Sequence, residues 1–289
     1  MTGKLHFEAP TALQYFAALV ADDASLPTLE AAVAVAQDPD PGLDTQSVLA
    51  EVDALAATLC RRLPADAGAL QRLRLLNLYF FSELGFAGNV NDYYDPGNSY
   101  LPVVLARRRG IPITLAIVYI ELATQAGLQA VGVAFPGHFL VKLHMPQGEV
   151  VIDPFSGRSL SRDELDEWLQ PYRRRQNLVG DDAAPLGLYL QATPPRDVIA
   201  RLLRNLKEIF RASGDLQRLL PVQERLVILL PDAWEERRDR GLLQAELGRT
   251  DLACADVEAY LAACCSAADV APLRRRLNDW RAAPPPALH

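Results

Sequence analysis

The sequence predicts an α+β fold that is predominantly helical, and two observations support this class. Apolar residues recur at helical spacing through residues 1–88 and again through residues 196–289. Between these segments, an apolar helix that begins at Pro112 is followed by short stretches typical of β-strands. A helix that is apolar on nearly every side is usually buried, so we expect this one to pack on a small antiparallel sheet.

Composition and charge limit the function. The chain has 289 residues, of which 50% are hydrophobic and 22% charged, and is long enough for two domains with cores of their own. Its net charge of −7 argues against a general affinity for nucleic acid or for anionic membranes. We expect no disulfide framework, no metal, no cofactor and a cytoplasmic location, because no CxxC spacing occurs among Cys60, Cys254, Cys264 and Cys265.

The domain organisation follows from where these patterns change. Residues 1–88 are predicted to form a helical amino-terminal segment packed on the core, with one helix over Ala67–Leu84. Residues 89–180 form the core itself. Val179–Pro195, rich in turn residues, is the predicted linker to the helices of residues 196–289.

Within the core, a loop dense in turn residues precedes a short helix predicted over Tyr100–Arg109. Asn98 or Ser99 is placed to cap the start of that helix, and Gly110 to stop it. Pro112 then suits the first position of the next helix, where its missing N–H is not needed.

Three strands are predicted after the central helix, over Ala130–Ala134, His138–His144 and Val150–Asp153. The segment Met145–Glu149 is predicted to be a turn. Its length decides whether His138 and Asp153 share a face of the sheet: a turn of two or four residues brings them together, and one of three residues separates them.

A repeat is present in the carboxy-terminal helices. Gly214 and Gly248 each follow a helix and stand 34 residues apart, which is the period of a tetratricopeptide repeat. Gly241 fits a small packing position of that repeat, whereas Lys207 occupies the equivalent place one unit earlier. We predict two degenerate repeats and a closing helix over Pro272–Trp280.

The order of elements in the core is that of a cysteine-dependent acyl-transfer site. Such a site needs a thiolate at the amino end of a buried helix, a histidine on a neighbouring strand and a carboxylate on the next strand to orient the ring. The chain supplies the helix, then His138, then Asp153, in that order.

Three motifs, Asn98–Leu101, Arg108–Ile113 and Phe135–Leu140, resemble the SirB-type family. The resemblance implies a papain-like or transglutaminase-like core, with a buried helix on a small antiparallel sheet, followed by tetratricopeptide-like helices. It also implies a bacterial cytoplasmic protein, and it does not itself supply an activity.

The motif of transglutaminase-like enzymes transfers to this chain only in part. Gly110 and Ala116 keep their places in it, but the position of the nucleophilic cysteine falls on Pro112. His138 and Asp153 match the histidine and the aspartate. Proline has no ionisable group and no N–H, so it replaces neither a thiolate nor a donor to an oxyanion hole.

Other residues offer little as substitutes for the missing nucleophile. Thr114 points away from the Pro112 position, Ser99 is explained as a helix cap, and nothing in the sequence places Cys60 nearby. The residues that we expect to line a cleft around the retained histidine are Asn91, Asp92, Tyr93, Tyr94, Asn98, Ser99 and Thr114.

Two functions remain open at this point. One is a non-catalytic scaffold or regulator that binds a protein or peptide partner, favoured by Pro112 and by the repeats. The other is a hydrolase or transferase that acts on amide or ester bonds through His138 and Asp153. The charge disfavours a nucleic-acid regulator, and the sequence does not give the oligomeric state.

Overall fold

The computed structural model describes residues 10–176, 184–264 and 268–282. Cys265, the start of the predicted linker and the proline-rich end of the chain lie outside these ranges. The helices in chain order are α1 (Ala12–Leu19), α2 (Thr28–Ala34), α3 (Thr45–Arg62), α4 (Ala69–Asn77), α5 (Leu101–Arg107), α6 (Pro112–Gln125), α7 (Arg162–Arg175), α8 (Leu186–Tyr189), α9 (Pro195–Ser213), α10 (Leu216–Leu229), α11 (Trp234–Glu246), α12 (Thr250–Ala263) and α13 (Val270–Ala282). The strands are β1 (Ala87–Gly88), β2 (Arg109–Gly110), β3 (Gln129–Val133), β4 (Leu140–Met145), β5 (Gly148–Asp153) and β6 (Arg158–Leu160). The predicted α+β, predominantly helical class is confirmed.

The chain separates into two compact units, and the larger one comprises residues 22–202. Its centre is α6, whose apolar side chains are buried from Ile113 to Tyr119 without interruption. Strands β3, β4, β5 and β6 form an antiparallel sheet in that order. The predicted buried helix and small sheet are therefore present, because a helix with Glu121 as its one charge has no polar face to turn to water.

The opposite side of the sheet has a hydrophobic cluster of its own. Val133, Leu140 and Val151 of the strands pack there with Leu165 and Leu169 of α7, and Trp168 lies against the same cluster. The sheet is thus covered on both faces, which explains why four consecutive residues at the start of β4 are buried.

The hairpin between β4 and β5 differs from the predicted turn over Met145–Glu149. Met145 pairs with Gly148, so the loop holds only Pro146 and Gln147. Gly148 has φ 135°, a conformation that glycine adopts readily and that allows the tight connection. Both strands therefore extend further toward the turn than the sequence pattern indicates, and β4 begins at Leu140 rather than His138.

The segment before α6 also differs from expectation. The residue that caps α5 is Tyr100, without a side-chain hydrogen bond, so neither Asn98 nor Ser99 is the cap. The helix ends at Arg108, which adopts the left-handed conformation at φ 56°, and not at Gly110. Gly110 instead belongs to the short parallel pair of β1 and β2.

The smaller unit comprises residues 1–21 and 203–289, of which the described part contains α1 and the carboxy-terminal helices. Gly214 and Gly248 both have positive φ, 68° and 76°, and end helices one repeat apart. Helix α1 packs on α10, where the guanidinium of the buried Arg225 lies 5.3 Å from the centre of the Phe16 ring.

Candidate functional site

Backbone contacts bring the end of β5 close to the start of α6. The Gly88 N–H donates to the Phe155 carbonyl at 2.9 Å, and the Asn89 N–H donates to the Gly110 carbonyl at 3.0 Å. A Cβ on Gly88 would lie 2.3 Å from the Phe155 ring, so only glycine permits this approach. The residues after Asp153 and the residues before Pro112 therefore border the same short segment.

Pro112 is the first residue of α6 and is partly accessible to solvent. This is the position at which a helix dipole lowers the pKa of a cysteine in thiol enzymes. Its ring carries no nucleophile, and its nitrogen has no hydrogen to donate.

The hydroxyl groups of Thr114 and Ser99, which lie close to Pro112 in the sequence or in the structure, are not available to a substrate. The Thr114 hydroxyl is buried, donates to the Asn98 carbonyl at 2.8 Å and accepts the Ile111 N–H at 3.2 Å. Ser99 has no exposed surface, and its hydroxyl has no hydrogen-bond partner among the described residues. Asn98, Ser99 and Thr114 thus lie in the core, beneath the surface on which a ligand would bind.

Cys60 lies at the wrong end of the central helix to serve as a nucleophile. Its thiol donates to the carbonyl oxygen of Gln125, the last residue of α6, at 3.3 Å. Pro112 is at the other end, about 20 Å away at ~1.5 Å per helical residue.

His138 follows the turn that closes when its N–H donates to the Phe135 carbonyl at 2.9 Å. Its ring is half-buried and stacks on Trp168 of α7, with 4.2 Å between ring centres. The next residue, Phe139, lies on the other face of the sheet, since its ring approaches Gly132 beside Ile120 of α6. The imidazole therefore faces α7.

Electrostatics favour a neutral imidazole. Burial lowers the pKa of His138, the negative charge of Asp153 opposes that shift, and the positive charge of Arg201 adds to it. Because the ordinary pKa is near 6.5, a lowered value leaves the ring uncharged at neutral pH.

Asp153 is on the same face of the sheet as His138. Val141 pairs with Ile152, which places Asp153 opposite Leu140, two residues along from the histidine. The carboxylate, however, accepts hydrogen bonds from the residues that directly follow it in the chain: from the Ser156 hydroxyl at 2.6 Å and from the Phe155 N–H at 2.9 Å. Within the described ranges, no hydrogen bond joins it to the imidazole.

The loop that we predicted to lie beside the histidine is exposed at its tip and fixed at its base. Tyr94 is 75% exposed and Val90 76%, whereas Tyr93 is 44% exposed and packs on the Phe155 ring at 5.9 Å. The buried Asn98 amide donates to the carbonyls of Asp92 and Tyr93 at 2.6 and 3.2 Å. Asn91 and Asp92 are exposed with the tyrosines. We call residues 90–94 the aromatic loop.

Sequence reasoning missed three residues that contact or act on the predicted site residues. Trp168 provides the stacking surface for the imidazole, Phe155 supports the aromatic loop, and Arg201 supplies a positive charge that acts on the imidazole. No local pattern marks them, because Trp168 and Arg201 come from helices far along the chain. Within the described part of the chain, no group of His, Cys, Asp and Glu is arranged to hold a metal, and no helix is both long and apolar enough to cross a membrane.

Comparison with known proteins defines the class first. Residues 46–204 match the family model described as transglutaminase-like superfamily, and residues 206–278 match the tetratricopeptide repeat. The protein is thus a transglutaminase-like domain followed by tetratricopeptide repeats, an element that commonly binds other proteins.

The particular family follows from the relatives, and this chain belongs to the UPF0162 family. A UPF0162 protein of Xylella fastidiosa is 36% identical over 263 residues, covering 89% of this chain and 91% of the relative. One from Pseudomonas aeruginosa is 31% identical over 260 residues, covering 90% and 93%. Protein SirB1 of Salmonella typhimurium is 26% identical over 221 residues, covering 76% and 80%, so the resemblance to the SirB-type family is confirmed. No solved structure matches the chain.

Proposed function

We propose that this chain is a non-catalytic transglutaminase-like protein that works as a scaffold or regulator by binding a protein partner. The observation that carries the proposal is Pro112 at the start of α6, where an enzyme of this class needs its thiolate. Loss of the nucleophile from a comparable triad removes roughly 10⁶-fold of the catalysis in serine proteases.

Among the residues that the structure describes, those considered as substitutes for the missing nucleophile are all engaged elsewhere. The hydroxyl of Thr114 already has two hydrogen-bond partners, that of Ser99 is sealed in the core, and the Cys60 thiol is bound at the far end of α6. A general base without an attacking group contributes little to acyl transfer.

The alternative is a hydrolase or transferase that acts on amide or ester bonds using His138 and Asp153. One observation favours it: burial keeps His138 neutral, as a general base must be. The carboxylate that should orient the ring is nevertheless bound to Ser156 and to the backbone of its own turn. We therefore place this alternative second.

The surface that we assign to the partner is the aromatic loop. Tyrosine is enriched in protein interfaces because it offers a large contact area at low conformational cost. The amide of Asn98 holds the loop from below, so a partner would not need to order it on binding. A cytoplasmic location is part of the proposal, since the described cysteines Cys60, Cys254 and Cys264 are free thiols.

Site-specific cross-linking tests this assignment. A photoreactive amino acid at Tyr94 of the full-length chain should capture a defined partner from a lysate of the organism that encodes it. The same group at Leu78, which is 51% exposed in the same unit, is the matched control and should capture nothing specific. Recovery of the same proteins from both positions, or of none from Tyr94, would refute the loop as a docking surface.

A further inference from the structure

A cleft of about 460 Å³ lies in the larger unit beside β3, the edge strand of the sheet. We call it the β3 cleft, and its volume is in the range of sites that bind small molecules. Apolar side chains from five parts of the chain line it, among them Leu29, Ile117, Ile120, Phe139 and Val198. Glu121 also lines it and lies about 14 Å from Pro112 along α6, at ~1.5 Å per helical residue, so the β3 cleft is separate from the candidate site.

Hydrogen bonds and close packing fix two walls of the β3 cleft. The Thr193 N–H donates to the Gly132 carbonyl at 2.8 Å, and the Thr193 hydroxyl oxygen accepts the Ala134 N–H at 2.7 Å. These bonds hold the segment after α8 against β3. A Cβ on Gly132 would lie 2.8 Å from the Phe139 ring, so the glycine lets that ring pack against the strand. A ligand would therefore enter a site that needs little ordering on binding.

Glu121 is the one charged residue among the described residues that line the β3 cleft. It is half-buried and lies on the same face of α6 as Ile117 and Ile120, since residues three and four apart are neighbours on a helix. Its carboxylate accepts a hydrogen bond from the Gln125 side-chain amide at 2.9 Å. The same amide nitrogen donates to the Asp53 carboxylate at 2.8 Å, so two negative charges lie at this end of the cleft.

The described positive side chains do not neutralise these two carboxylates. Within the described ranges, neither Glu121 nor Asp53 forms an ion pair. Arg72 reaches the last turn of α6, but its guanidinium donates to the Ala67 and Ala126 carbonyls. Because two carboxylates bound to one amide repel each other, an arriving cation would be attracted to both. An anion would be repelled by both.

We propose that the β3 cleft binds a small molecule with a hydrocarbon body and one protonated amine. The amine donates to the Glu121 carboxylate, and the hydrocarbon body packs on Ile117, Ile120 and Phe139. Burial of the body removes apolar surface from water, and the ion pair fixes its orientation. This site does not depend on the proposed scaffold function, since it lies on other residues than Pro112 and the aromatic loop.

The test uses the full-length chain and three probes that have the same hydrocarbon chain and differ in their polar group. Octylamine is a cation at pH 7, octan-1-ol is neutral and octanoate is an anion. Calorimetry measures the affinity, and the methyl resonances of Ile117 and Ile120 locate the site. Ile113 is the internal control, because it is buried at the opposite end of α6. We expect octylamine to bind saturably, with affinity about tenfold higher than octan-1-ol, and octanoate to bind most weakly.

Substitution of Glu121 separates recognition of the amine from simple hydrophobic binding. Glu121→Gln keeps the shape of the side chain and should weaken octylamine binding about tenfold while leaving octan-1-ol unchanged. Glu167→Gln is the matched control, because Glu167 is exposed on α7 of the same unit, and it should change neither affinity. If Glu121→Gln does not fold, the comparison of the three probes on the unmodified chain decides.

Four results would overturn the proposal. They are the absence of saturable octylamine binding, equal affinity for octylamine and octan-1-ol, full octylamine affinity in Glu121→Gln, and methyl shifts at Ile113 without shifts at Ile117 and Ile120. Capture of a partner through Tyr94 tests the scaffold function separately. Either proposal can therefore fail while the other stands.

Discussion

The buried charge cluster of the carboxy-terminal unit gives a sharp test of how that unit is held together. Lys207 stands where the repeat has a small residue, and its side chain is only 8% exposed. Its Nζ lies 2.6 Å from Glu236 Oε2 and 2.8 Å from Asp239 Oδ2. The change Lys207→Met keeps most of the aliphatic side chain and removes the charge.

The expected loss of stability depends on which hydrogen-bond partners Glu236 and Asp239 keep after the substitution. Removing one member of a buried ion pair usually costs about 3–5 kcal/mol. Here Glu236 keeps Gln223 at 3.0 Å and Arg204 at 3.2 Å, and Asp239 keeps Arg211 at 3.1 Å. We therefore expect the lower end of that range, about 3 kcal/mol in the free energy of unfolding.

Acid should reduce the difference in unfolding free energy between Lys207→Met and the wild type. Burial raises the pKa values of Glu236 and Asp239, but hydrogen bonds and charge from Lys207 outweigh it and hold both below their ordinary values. A carboxyl group with a lowered native pKa stabilises the fold above its unfolded pKa, near pH ~4, and that stabilisation is lost as the pH falls through the native value. The difference in the free energy of unfolding between Lys207→Met and the wild type should thus become smaller on acidification.

Urea unfolding at pH 7 and again in acid, followed by hydrogen exchange of the α11 amides, measures the effect. The control is Arg281→Met, which removes an exposed pair with Glu258 and should cost less than about 1 kcal/mol. A cost for Lys207→Met as small as that of the control, or a gap that widens in acid, would refute the reasoning.

Two further predictions concern packing. Gly241→Ala should destabilise the carboxy-terminal unit by about 1–3 kcal/mol, because the new Cβ would lie 2.9 Å from a valine methyl and 3.2 Å from a backbone carbonyl of α12. Thermal unfolding measures this loss of stability, with Ala263→Gly near the end of a helix as the comparison. Asn98→Ala should lower the free energy of unfolding by about 1–3 kcal/mol and accelerate hydrogen exchange in residues 90–94, since two loop carbonyls lose their donor. Unchanged exchange in these residues would show that the loop is ordered without the Asn98 amide.

The fold was predictable where local pattern and burial agree. The central helix is apolar on nearly every side and has Glu121 as its one charge, and it is buried from Ile113 to Tyr119 as that composition requires. The repeat was visible because the glycines that end its helices recur at a fixed interval. Strand ends were not predictable, since Gly148 permits a tighter turn than the polar segment around it suggests. Nor was the end of α5, where Arg108 takes a conformation that usually selects glycine.

The candidate site was predictable only along the strands and the start of the central helix. His138 and Asp153 follow from motif and order, but their relation depends on the two-residue loop, which the sequence left open. Trp168 and Arg201 arrive from later helices through packing, so spacing along the chain carries no signal of them. The packing of Phe16 of α1 on α10 likewise could not be predicted from any local pattern in the sequence.

The central claim is that a transglutaminase-like frame has lost its attacking atom, and turnover measures this most directly. The purified full-length chain and His138→Ala should be incubated side by side with a broad panel of amide and ester substrates, with and without an amine acceptor. The account predicts that both give the rate of the buffer alone. Turnover by the wild type that His138→Ala abolishes would contradict it.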